Sequence, residues 1–211
     1  MPRDGTETRI QIMDAAQDLI LRQGFAATTV DAVLERTGLT KGAFFHHFKS
    51  KNELANAVIQ RFADHDRALL DNLLDRAERL SSDPMQQVLI LVGLMEEMAD
   101  QLTDPNHGCL FASYVYEAQL FDTEVHRIIR DAFHLWRDRL GQKLRDAVAH
   151  RPPRVEVDID ELADMLSVIV EGAYVLGKSL GDSSMLARQL RHYRSYLELV
   201  FGLDARVPAA R

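Results

Sequence analysis

The chain has 211 residues, 46% of them apolar, enough to bury one substantial core or two modest ones. Its single cysteine, Cys109, excludes an intrachain disulfide and a CxxC metal site. The longest apolar run, Val88 to Met95, is too short to span a bilayer, and the polar start MPRDGTETR carries no signal-peptide core. A soluble, cytoplasmic protein without membrane contact or cofactor is expected. The formal charge of −7 is unevenly placed: residues 1–52 sum to +1 and residues 53–211 to −8.

Taken in order, nearly every segment repeats its apolar residues with a helical period, and none alternates like a strand. The first helix is predicted from Thr6 to Gln23, with Ile10, Met13, Ile20 and Leu21 available to a core and Gly24 as its stop. A second begins after Thr28 or Thr29 and ends at Gly38; a third runs from Thr40 to Phe48. Ser50-Lys51-Asn52-Glu53 reads as a capping box for a long fourth helix reaching Glu78 or Leu80. Asp83-Pro84 opens the fifth, and Asp104 to Gly108 breaks the chain before a sixth, Cys109 to Leu120. The seventh starts at Asp122 or Thr123, and His150 to Arg154 forms a linker. Asp160–Leu180 and Ser183–Phe201 complete the chain. A boundary near Asn52 separates a head (1–52) from a body (53–211), with the fourth helix crossing it.

Between Arg36 and Asn52 stand four cations (Arg36, Lys41, Lys49 and Lys51), two histidines and no acid. In so acidic a protein, a short helical unit with this positive edge suits binding to a DNA backbone, and the acidic body would orient the approach. Phe44 and Phe48, spaced i, i+4, should pin the third helix inward. Thr40, Lys41, Ala43, Phe45, His46 and His47 then line its outer face, offering groups suited to phosphates and base edges. Gly42 costs ~1 kcal/mol relative to alanine inside a helix, so either a packed neighbour or DNA must approach it closely.

These residues carry a resemblance. Residues 6–54 resemble the helix-turn-helix of the TetR family of bacterial transcriptional regulators. They share a capping threonine, Gly38-Leu39-Thr40 in the turn, Lys41-Gly42, an aromatic–His–Phe run ending at Phe48, and Ser50-Lys51-Asn52-Glu53-Leu54. Beyond them the likeness lies in helical order, length and the stretch at Gly108. The resemblance implies an all-α protein, its three-helix DNA-binding domain joined by a long helix to a ligand-binding and dimerisation domain. It places Thr28 or Thr29, Phe45, His47 and Lys51 at phosphates, and Thr40, Lys41, Ala43 and His46 at bases; Lys49 and Gly42 belong to the same edge. Position 45 is usually tyrosine in the family, so Phe45 forgoes a phosphate hydrogen bond worth ~1 kcal/mol.

In the body, Met95, Met98, Phe111, Tyr114, Phe133, Trp136 and Tyr174 are adaptable or amphipathic side chains that could line a pocket or simply fill a core. The resemblance implies a small-molecule effector there, with Cys109 beside it, and a repressor released from double-stranded operator DNA. Cys109 itself is open to two readings. It could be a small packing residue. It could also be a thiolate sensor of oxidants or electrophiles at a helix start, a use some TetR-like regulators make of cysteine, with Lys178 as a candidate partner. Wide apolar faces on the last two helices (Leu162, Leu166, Ile169; Tyr193, Leu197, Val200) suggest a homodimer seam, with Gly172 and Gly177 permitting close approach.

Two rivals from other classes stand beside this reading, and a gel shift with random genomic fragments would separate both from a DNA-binding regulator. A carboxylate-bridged di-metal enzyme needs Glu-x-x-His on two helices, and no histidine here has Glu three residues before it. No phosphate loop, HExxH or Gly-x-Ser-x-Gly is present either. A helical protein-binding adaptor is the other alternative.

Overall fold

The computed structural model describes residues 5–104 and 108–203, and among these the structure is all α. The helices are α1 (Gly5–Ala27), α2 (Val30–Thr37), α3 (Lys41–His47), α4 (Lys51–Leu80), α5 (Pro84–Asp100), α6 (Leu110–Tyr116), α7 (Thr123–His150), α8 (Ile159–Leu180) and α9 (Met185–Val200). A single 3₁₀ turn, Ala118–Leu120, follows α6. Pro105, Asn106 and His107 of the expected chain break lie outside the described residues.

Local chemistry accounts for the boundaries. Gly24 sits at φ 81, ψ 166, a region only glycine adopts freely, so the regular part of α1 stops there and a short turn carries the chain to α2. At α4, the Ser50 hydroxyl accepts from Glu53 N–H at 3.1 Å, while the Glu53 carboxylate reaches back to Lys49 N–H at 2.8 Å. This is the expected capping box, displaced by one residue on its return arm. Asp83 caps α5 by accepting from Met85 and Gln86 N–H, with Pro84 in the first turn. The sixth helix is shorter than its sequence suggests. Glu117 leaves helical geometry (φ −117, ψ 29), and the chain tightens into the 3₁₀ turn up to Leu120.

Packing divides the chain into two compact units, one of residues 5–66 with 108–132 and one of residues 67–104 with 133–203; α4 and α7 each contribute to both. This grouping differs from the boundary expected near Asn52, because α6 and the start of α7 pack with the N-terminal helices. The first unit is built on Ile12, Ile20, Phe25, Val33, Phe44, Phe48, Val58 and Ile59, with Tyr114 fully buried. The Tyr114 hydroxyl donates to Ala55 O at 2.9 Å, and its ring stacks on Phe121 at 4.4 Å.

The second unit packs α9 against α5 and α8. Its core holds Leu73, Leu91, Leu144, Leu162, Leu166, Leu190, Tyr193, Leu197, Val200 and Phe201. The Tyr193 hydroxyl donates to Leu162 O at 2.8 Å, and burial pushes that phenol up. This corrects the expected seam. Leu162, Leu166, Tyr193, Leu197 and Val200 are buried within their own protomer and leave no surface for a second one; Ile169 is half-buried. Gly177 serves the chain itself as well: a Cβ there would stand 2.9 Å from Asp182 O in the α8–α9 turn. The exposed apolar side chains of these helices are Val168, Val175 and Leu176 of α8, with Leu180 in its last turn, and Tyr196 and Leu199 of α9. Gly172 of α8 has open space above it.

Truncating Leu197 to alanine removes a fully buried side chain and should cost about 2–5 kcal/mol. The midpoint of urea unfolding followed by circular dichroism measures it; a shift within error would contradict the core assignment.

Candidate nucleic-acid interface

Two short capped helices form the site. The Thr29 hydroxyl caps α2 by accepting from Ala32 N–H at 3.1 Å, and the Thr40 hydroxyl caps α3 by accepting from Ala43 N–H at 3.2 Å. Between them Gly38, at φ 68, closes α2 through its N–H to Leu34 O at 2.8 Å, the left-handed cap that glycine supplies at least cost. Phe44 and Phe48 are fully buried, which turns the rest of α3 outward. Thr40, Lys41, Gly42, Phe45 and His46 are exposed; Ala43 and His47 are half-buried. The two imidazoles meet edge to face at 5.0 Å.

Gly42 has a clear physical setting. A Cβ built there meets nothing nearer than Thr40 Oγ1 at 3.8 Å, so no packed neighbour within the chain requires glycine. Thr28 departs from its expected role: it is buried, and its hydroxyl donates to Gly24 O at 2.8 Å. Of the two threonines, only Thr29 is on the surface.

The positive edge is less free than the sequence suggests, because acids from outside the Arg36–Asn52 stretch fold onto it. Arg36 pairs with Asp18 of α1, and Lys41 with Asp31 of α2 at 3.1 Å. The Lys41–Asp31 pair is largely exposed on both sides, so separating it costs only about 0–1 kcal/mol and Lys41 can exchange partners. Lys51 is committed elsewhere. Its ammonium donates to Phe25 O at 2.6 Å and Ala26 O at 3.3 Å, and lies 4.0 Å from the centroid of the Phe25 ring. Burial pulls its pKa down, with the Glu117 carboxylate opposing. Lys51 therefore braces the turn at Phe25 and Ala26, so its charge is less open than that of Lys49. Lys49 is exposed, with no protein partner for its ammonium among the described residues. Asp18 and Asp31 were invisible to a linear count, since only the folded turn brings them to the basic stretch.

Comparison with known proteins decides what this arrangement belongs to. Residues 12–58 match the family model for bacterial regulatory proteins of the tetR family, and residues 84–193, more than half the chain, match that for the tetracyclin repressor-like C-terminal domain. The chain belongs to the TetR family. It is a DNA-binding transcriptional regulator and not an enzyme, which removes the di-metal alternative. Among its relatives is the transcriptional regulator AcuR of Cereibacter sphaeroides, 24% identical over 177 residues, 83% of this chain and 78% of that protein. The regulator SrpR of Pseudomonas putida is 27% identical over 143 residues, 61% and 62% of the two chains. In fold, this TetR-family chain is similar to a TetR-family regulator from Agrobacterium tumefaciens, with a TM-score of 0.73 at 22% identity over 94% of this chain and all (100%) of that one.

The expected effector residues do not come from one compact unit. Cys109, Phe111 and Tyr114 belong to the first; Met95, Met98, Phe133, Trp136 and Tyr174 belong to the second. Phe111 is buried edge-on to Phe62 at 4.8 Å, and Tyr114 is a core brace, so both are packing residues here. Met95, Trp136 and Tyr174 pack half-buried on the second core, while Met98 is exposed. Cys109 is half-buried at the N-cap of α6, its thiol capping no amide. Tyr174 lines a recess with Leu102, Ala173, Gly177, Met185 and Leu186 that has room for about one water, ≈ 10 Å³.

Gly42→Ala should separate stability from binding. The substitution removes a helix penalty of up to about 1 kcal/mol, so the protein should melt at the same temperature or higher. The added methyl stands on the outer face of α3 and should weaken duplex affinity. Unchanged affinity in a gel shift would remove Gly42 from the interface.

Proposed function

We propose that the protein is a homodimeric repressor that reads a two-fold operator with the outer face of α3 and leaves it when a small, largely apolar effector binds the C-terminal region. The observation that carries the reading is the division of α3: phenylalanines fully buried on one side, and Thr40, Lys41, Gly42, Phe45 and His46 exposed on the other. Lys41 and His46 are assigned to base edges with Thr40 and Ala43; Thr29, Phe45, His47 and Lys49 are assigned to the flanking phosphates. Family members bind operator DNA as dimers and respond to small molecules. Among the described residues no helix is long and apolar enough to cross a membrane, in keeping with a cytoplasmic site of action.

The dimer is assigned to the open apolar surface of α8 and α9, where Val168, Gly172, Val175 and Leu176 recur at helical spacing on α8 and Tyr196 and Leu199 are exposed on α9. Pairing this surface across a two-fold axis buries it against its own copy, an isologous contact. The two α3 helices would then address half-sites about 34–36 Å apart, or a multiple of that. An effector changes affinity for DNA only through its unequal affinity for the DNA-bound and free forms. It would be sought by calorimetry of small apolar compounds with and without operator.

Fragments of genomic DNA recovered by the protein provide the test. Binding should weaken steeply with salt, each neutralised phosphate adding about −0.9 to the log–log slope. Lys49→Ala should flatten that slope by about one phosphate and leave sequence preference intact; no recovered fragment, or a slope near zero, contradicts the reading. Val175→Glu should yield particles near 23.9 kDa by light scattering, with operator affinity lost. An unmodified protein already at that mass at micromolar concentration contradicts the dimer.

A further inference from the structure

We infer that Glu117 is a positioning residue for operator binding: its carboxylate clamps the Phe25–Ala26 peptides and so fixes the turn that presents Thr29 and α2. The two carboxylate oxygens accept separately, Oε1 from Phe25 N–H at 2.8 Å and Oε2 from Ala26 N–H at 2.7 Å, across more than ninety residues of chain. These amides lie just past the break at Gly24, where the helical pattern offers them no carbonyl. The carbonyls of Phe25 and Ala26 are held too, both accepting from Lys51 Nζ, so the peptide unit joining Phe25 to Ala26 lies between an acid on its N–H side and a cation on its C=O side.

The clamp is fitted to this turn. A Cβ at Gly24 would overlap Glu117 Oε1, so the glycine both permits the backbone angle and makes room for the carboxylate. Glu117 itself is held firmly. One turn before it Tyr114 is anchored on Ala55 O, and four residues after it Phe121 stacks on Tyr114 and meets Phe25 at 4.7 Å. Past the clamped peptides, Thr28 N–H donates to Phe25 O at 3.1 Å, and Thr29 caps α2. A residue within the stretch matching the C-terminal family model therefore sets the position of the phosphate-facing end of the DNA-binding region.

The inference rests on the assignment of Thr29 and α3 to DNA, and the experiment separates the two. Electrostatics alone predicts that deleting an acid tightens binding to a polyanion; loss of the clamp predicts the reverse. With a genomic fragment recovered by the unmodified protein as probe, Glu117→Ala should weaken binding about tenfold or more while leaving the salt slope unchanged. Glu117→Gln, which keeps one acceptor oxygen, should fall between. Hydrogen exchange should quicken at residues 25–32 and remain unchanged at Phe44 and Phe48. Unchanged or tighter binding of the alanine variant overturns the inference, as does glutamine no better than alanine, or exchange quickened throughout the first unit. Failure of the unmodified protein to recover any fragment overturns the DNA assignment instead, and this inference with it.

Discussion

Burial of Phe44 and Phe48 is the constraint from which the DNA-facing geometry follows. A seven-residue helix such as α3 has too few internal hydrogen bonds to stand alone, so its stability must come from packing. Two fully buried phenylalanines one turn apart supply it, each worth about 3–5 kcal/mol against alanine. Once both rings are fixed, the helical period leaves no choice about the other positions. The polar and small residues must face out, and the caps at Thr29, Gly38 and Thr40 set where each helix begins and ends.

Charge acts on a finer scale. Coulombic attraction to DNA depends on cations free to exchange partners, and the fold sorts them: Lys49 is open, Lys41 is held loosely by exposed Asp31, and Lys51 is spent on backbone carbonyls. An exposed pair such as Lys41–Asp31 costs little to break, yet it requires each new contact to compete with one already made.

How much of this could be read in advance varied with how local the signal was. The helix-turn-helix was legible because caps, turn glycine and the i, i+4 phenylalanines are all short-range. The apolar faces of α8 and α9 were equally visible, but their side was not. Each helix carries an apolar arc wider than half its circumference, and periodicity cannot say which part meets α5 and which stays open. Leu197 and Val175 look alike in sequence; only the packing separates them. Tyr114 had the composition of a pocket residue, and its partner, the carbonyl of Ala55, has no signature in the sequence at all. The same holds for Glu117, whose role depends on two backbone amides far away in the chain.

The central claim is that the outer face of α3 reads base edges. Its most direct measurement is the base preference, position by position, of the unmodified protein and of Lys41→Ala, both selected against one randomised duplex library. The account predicts two inverted half-sites for the unmodified protein, and for the variant a preference flattened at one position in each half-site with the others retained. An unchanged preference in the variant would contradict it.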